Sequence, residues 1–104
     1  MKIPQKFMLG AQTYIVTKDE ELVTENGALG LITYATNRIQ LQANMKEDKA
    51  GHSFCHELLH GILDALSHPL YDDEVFVDSV ALLLHQALVT GEGELKFKKV
   101  SDVK

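Results

Sequence analysis

The stretch SFCHELLHGIL, residues 53–63, decides how this chain is read. It holds two histidines, His56 and His60, four residues apart, with Glu57 beside the first. Around them Phe54, Leu58, Leu59, Ile62, Leu63 and Leu66 recur at spacings of three and four, the period of a helix with a packed face. The helix is expected from about Lys46 or Glu47 to Ser67. Glu47 and Asp48 suit its electropositive start. His68-Pro69 stops it, because the residue before a proline disfavours helix.

Residues i and i+4 of a helix lie on one face, so His56 and His60 aim two imidazoles at one point. Zn2+ favours imidazole nitrogen in a tetrahedral shell. Glu57 is one step round the helix, placed to reach a metal-bound water without becoming a ligand. This is the H-E-x-x-H arrangement, with the glutamate as general base. The plain alternative is two histidines that cap or line an ordinary core, less surprising in a chain with five histidines. Against it stands Glu57, a charge in an apolar run, which is expensive to bury without a purpose.

The site needs a third ligand. The extended pattern would require glycine at position 63 and histidine at position 66, where the chain has Leu63 and Leu66. Downstream, "EVFVD" carries Glu74 and Asp78, again four apart. Glu74 can complete a metal shell, and Asp78 can accept the N–H of a ligating histidine and fix its tautomer. Alternatively, both are acids favoured by a helix N-terminus. They open a second expected helix, from Asp72 or Asp73 as N-cap through "EVFVDSVALLLHQALV" to Thr90, ended by Gly91. It is apolar round most of its circumference and is expected to be buried on several sides.

Upstream, residues 3–43 read as strands. "KFML" and "TYIVT" flank Gly10-Ala11-Gln12 as a hairpin. "KDEELVTENG" follows, with Asn26-Gly27 as a turn signal. "LGLITYAT" and "RIQLQA" come next, joined through Thr36-Asn37-Arg38. In the latter, Ile39, Leu41 and Ala43 point one way and Gln40 and Gln42 the other, the alternation of a sheet with one buried face. The fold class is therefore α+β: a small, antiparallel-containing sheet of three to four strands followed by two helices. Residues 91–104 form a tail, with "ELKFKK" as a candidate short strand.

At 104 residues the chain is expected to be a single domain. Its 45% hydrophobic and 24% charged content is that of a globular protein. A net charge of −5 argues against nucleic acid as a partner, and Lys96, Lys98 and Lys99 read as a solvated tail or edge strand. Apolar runs are too short to span a membrane. One cysteine, Cys55, permits no intramolecular disulfide, and "MKIPQKFMLGAQTY" lacks a signal-peptide core. The expected compartment is the cytoplasm. A hydrophobic face left open by two apolar helices on a small sheet would be covered in a homodimer.

"HELLH" followed by "ExxxD" resembles the gluzincin division of zinc metallopeptidases. More closely, the sheet and the two helices resemble the small zincin-like proteins of bacteriophages and mobile elements. These are distant relatives of minimal gluzincins and of ImmA/IrrE-type metallopeptidases. The resemblance spans about Phe7 to Val89, with its specific motifs in the helices. It implies a bacterial cytoplasm and zinc held by His56, His60 and Glu74, with Glu57 as base and Asp78 behind a histidine. It also implies an extended peptide or protein substrate paired with an edge strand, "LITYAT" or "RIQLQA". Gluzincins add an oxyanion-stabilising side chain, for which Tyr71 and Tyr34 are the candidates, each also an ordinary packing residue. They also have a large second subdomain that forms a cleft; with little sequence after the second helix here, a shallow cleft is expected.

The other histidines have plainer readings. His52, one turn before His56, is supporting or solvated; His68 is a turn residue; His85 is too far along its helix to share the metal. Cys55 is expected to be a buried thiol. The leading expectation is a zinc-dependent peptidase acting through metal-activated water. The alternative is a zinc-binding regulatory or interaction module without turnover, and less favoured still is a metal-free interaction domain.

Overall fold

A computed structural model describes residues 1–22 and 29–98 of the chain. Strands β1 (Lys6–Leu9), β2 (Gln12–Asp19), β3 (Gly30–Thr33) and β4 (Arg38–Gln42) precede helices α1 (Glu47–Ala65) and α2 (Glu74–Thr90). The α+β architecture expected from the sequence is the one observed. The strands form one mixed sheet in the order β1-β2-β4-β3. β1 pairs antiparallel with β2, β2 parallel with β4, and β4 antiparallel with β3.

Local chemistry explains the two tight connections. Leu9 pairs with Gln12, leaving a two-residue loop whose first member, Gly10, has φ 59°. Only glycine enters that region without strain. Between β3 and β4 a short 3-10 turn, Tyr34–Thr36, ends at Asn37 in the left-handed region with φ 51°. Asn37 is steadied by donating from Nδ2 to Gln12 Oε1 at 2.8 Å. Its carbonyl accepts from Ile15 N at 3.0 Å. The expected turn at Asn26-Gly27 lies outside the described residues.

One face of the sheet is apolar. Tyr14, Ile39 and Leu41 meet Phe54 of α1 in the core. Phe7 stacks on Tyr14 at 5.4 Å and meets Phe54 edge-on at 5.8 Å. Each such side chain contributes about 1.5–3 kcal/mol when fully buried. α1 therefore lies on the sheet, and α2 packs on α1. No helix among the described residues is long and apolar enough to cross a membrane.

Helix ends differ in detail from expectation. α1 stops at Ala65, before the His68-Pro69 pair, because Ser67 turns left-handed with φ 51°. His68 N donates to Leu63 O and Ser67 N to Asp64 O, both at 2.9 Å, the paired closing bonds of a Schellman motif. Leu66, read as part of the packed stripe, is consequently 69% exposed. α2 starts as expected, with Asp73 as N-cap accepting from Phe76 N at 2.9 Å. Gly91 closes it in an extended conformation.

Two further expectations are corrected. α2 is not buried on several sides: only Val77, Ala81 and His85 are buried, because among the described elements it packs chiefly on α1. "ELKFKK" forms no strand over residues 94–98, where Leu95 and Phe97 stand exposed.

Candidate metal centre

α1 presents His56, Glu57 and His60 where it faces both the sheet edge and α2. Their ligand atoms all lie within 4.8 Å of one another, close enough to hold a metal ion. Glu57 and His60 are buried and His56 is partly covered. The periodicity that packs Phe54 and Leu63 into the core turns the histidines towards the second helix.

α2 supplies the acids. Glu74, in its first turn, places Oε2 3.0 Å from His56 Nε2 and Oε1 3.0 Å from His60 Nε2. The two Nε2 atoms are 3.2 Å apart. Glu74 is 70% exposed, so it reaches in from the rim. One turn later, Asp78 Oδ1 lies 3.0 Å from His56 Nδ1. The structure thus brings together all five residues singled out in the sequence: His56, Glu57, His60, Glu74 and Asp78.

The outer nitrogens settle the protons. His60 Nδ1 is 2.6 Å from the Tyr71 carbonyl, which can only accept, so Nδ1 carries the hydrogen. His56 meets a carboxylate at each ring nitrogen, Asp78 at Nδ1 and Glu74 at Nε2; when Nδ1 donates to Asp78, Nε2 is left as an acceptor. In the neutral rings both Nε2 lone pairs then face the Glu74 carboxylate with no proton among them. Such a convergence of acceptors calls for a cation, either a proton or a metal ion.

Burial raises the pKa of Glu57, the nearby Glu74 carboxylate raises it further, and His56 and His60 pull it the other way. Gly30 of β3 makes room for its side chain: a Cβ there would stand 3.1 Å from Glu57 Cγ. β3 is the edge strand on this side of the sheet, while β4 lies inside it between β2 and β3. Of the two expected edge strands, "LITYAT" is strand only as far as Thr33 and, among the described residues, is paired on one side only, whereas "RIQLQA" is hydrogen-bonded on both sides.

A cleft of about 330 Å³ opens here, lined by Gly30, His56, Glu57, Glu74 and Asp78 among others. A larger cavity of about 760 Å³, bounded by Met1, Val16, Leu41 and Met45, touches none of the cluster. It lacks convergent ionisable groups, so the smaller cleft holds the chemistry.

Tyr34 and Tyr71 meet edge-to-face with ring centroids 6.4 Å apart. Burial, with Asp64 and then Glu57 nearby, pushes the Tyr34 phenol up to about 12. Among the described residues neither phenol hydrogen-bonds to the cluster. Tyr71 takes part through its backbone, a role no motif signals, because any residue offers a carbonyl. His52 Nε2 lies 3.3 Å from Asp78 Oδ1, within ion-pair reach, though not aligned for a hydrogen bond. It stacks against His85 at 6.2 Å. His68 Nδ1 accepts from Leu70 N within its turn. Cys55 is buried with its sulfur 4.0 Å from Met1 Sδ, and burial pushes its thiol pKa up.

No family model matches this chain, and neither a curated protein nor a solved structure matches it.

Proposed function

We propose that this chain is a zinc-dependent metallopeptidase-like protein that hydrolyses peptide bonds, with zinc held by His56, His60 and Glu74. One observation carries the reading. The two imidazole Nε2 atoms stand 3.2 Å apart, Glu74 sets a separate carboxylate oxygen 3.0 Å from each, and a partner on the far side of each ring, Asp78 or the Tyr71 carbonyl, lets Nε2 turn a lone pair inward. The edge of a tetrahedral shell at usual zinc–nitrogen distances is about 3.3 Å, so the Nε2 pair spans one edge of such a shell and Glu74 can supply an oxygen beside it.

When bound, zinc lowers the pKa of its water towards ~7 and polarises a carbonyl. The chain's own residues do the remainder. Glu57 accepts the proton of the attacking water at a carboxylate oxygen and passes it to the leaving amine. Asp78 and the Tyr71 carbonyl hold the two rings in register. The edge of β3 left unpaired among the described residues supports pairing with an extended peptide, whose backbone would run past Glu57. Tyr34 and Tyr71, on the same side, are the candidates for stabilising the oxyanion.

A second reading keeps the zinc and drops the turnover, making the protein a regulatory or interaction module. The cleft, about 330 Å³, lies at the bottom of the usual range for ligand sites, about 300–1,000 Å³, which leaves little room to enclose a peptide and favours this reading.

Metal analysis of protein purified without added metal tests the common ground. About one zinc per chain is expected, lost in His56→Ala and Glu74→Ala. Metal-free protein of unchanged stability would remove both readings. Cleavage of a peptide library by the wild type and not by Glu57→Gln would then establish the enzyme.

A further inference from the structure

α2 turns an apolar face to solvent. Val75 is 80% exposed, Leu82 53% and Leu83 66%, with Phe76 and Val89 also open. Val75, Leu82 and Val89 follow at intervals of seven, two helical turns each, and so form one stripe along the helix. These five side chains leave on the order of 500 Å² of apolar surface uncovered, near the upper end for the largest patch on a monomer. Two copies would together bury on the order of 1,000 Å² here, at the low end for a specific interface.

We propose that this face of α2 packs against the same face of a second copy of the chain, as an antiparallel helix pair with its twofold axis at Leu82–Leu83. The charge pattern selects the occupant. From Ser79 to Gly91 there is no Asp, Glu, Lys or Arg. Two copies can therefore meet here without repulsion despite a net charge of −5 each. Beside Leu82 and Val89 stand Asp48 and Lys49 of α1, one of each sign, so a strongly charged partner finds no net complement. α2 carries no lysine or arginine, so it lacks the basic flank by which an amphipathic helix holds an anionic membrane.

Orientation follows from the ends. A parallel pair would set Asp73, Glu74 and Asp78 of one copy against the same acids of the other. An antiparallel pair separates them and opposes the helix dipoles. Leu82 lies at the middle of α2, with Val75 seven residues before it and Val89 seven after. A twofold axis there brings Val75 of one copy beside Val89 of the other, as a self-complementary interface requires. Val75 adjoins Glu74, so the partner's helix end forms a wall beside the metal cleft.

The interface does not depend on the metal, so sedimentation velocity is run on the full chain with and without chelator. At 100 µM a particle of twice the 11.6 kDa chain mass is expected in both. Leu82→Glu and Leu83→Glu should each weaken self-association at least about tenfold, because each buries a charge at the centre of the contact. Both positions are exposed within one chain, so helix content by circular dichroism should be unchanged. In a second test, Leu82→Cys should form an intermolecular disulfide on oxidation. Val75→Cys should cross-link mainly when mixed with Val89→Cys; Cys55 is buried and stays out of reach. A single-chain mass at 100 µM would overturn the proposal. So would a dimer indifferent to both glutamates, or a monomer that floats with phosphatidylglycerol vesicles.

Discussion

The two helices are similar in length and both rich in apolar residues, yet they are held in opposite ways. α1 lies between the sheet and α2 and buries seven residues, from Gly51 to Leu63. α2 buries three, Val77, Ala81 and His85, and leaves its leucines outside. Apolar content therefore does not decide burial; the number of layers does. A small sheet covers one helix, and the second helix has only the first to lie on. The candidate site spans this divide, with histidines on the firmly held helix and acids on the loosely held one.

The comparison can be broken by substitution. Phe54→Ala, on the sheet side of α1, should cost about 3–5 kcal/mol by denaturant unfolding; a loss under about 1 kcal/mol would mean α1 is not the structural anchor. Across the joint, Asp78→Ala should weaken zinc binding roughly 10–100-fold in a chelator competition while the fold persists. Unchanged affinity would detach Asp78 from His56. Asp73→Ala removes the cap of α2 and should cost about 1 kcal/mol. The smallest effect belongs to the exposed residues. Leu66→Ala, and Leu83→Ala measured at a concentration where the chain is monomeric, should each fall within about 0.5 kcal/mol. A large loss from either would show a packed surface where the structure has an open one.

How much of this was legible in the sequence depends on how local each cause is. His56 and His60 share a face because they are four residues apart, and Asp73 caps α2 because its side chain reaches its own helix. Such features are written in neighbouring residues. The alternation of Ile39 and Leu41 likewise marked the buried face of β4. Leu66 misled because a left-handed Ser67, a residue with little intrinsic preference for that region, ended the helix early. The exposure of α2 was illegible for a different reason. A helix apolar on all sides looks alike whether its outer face meets its own chain or another molecule. The central place of β4 depends on a parallel pairing with β2, which strand patterns alone do not specify.

The bond from His60 Nδ1 to the Tyr71 carbonyl bears on how this protein tolerates change. No side chain substituted at position 71 removes a backbone acceptor, so a substitution survey would score the position as permissive for metal binding. Length is another matter. Adding or deleting one residue between Leu66 and Asp73 displaces the carbonyl by up to about 3.8 Å, the span of one peptide, and leaves the ring without its support. A survey of insertions and deletions should find this loop intolerant of changes in length while position 71 is free in composition, with zinc content as the readout.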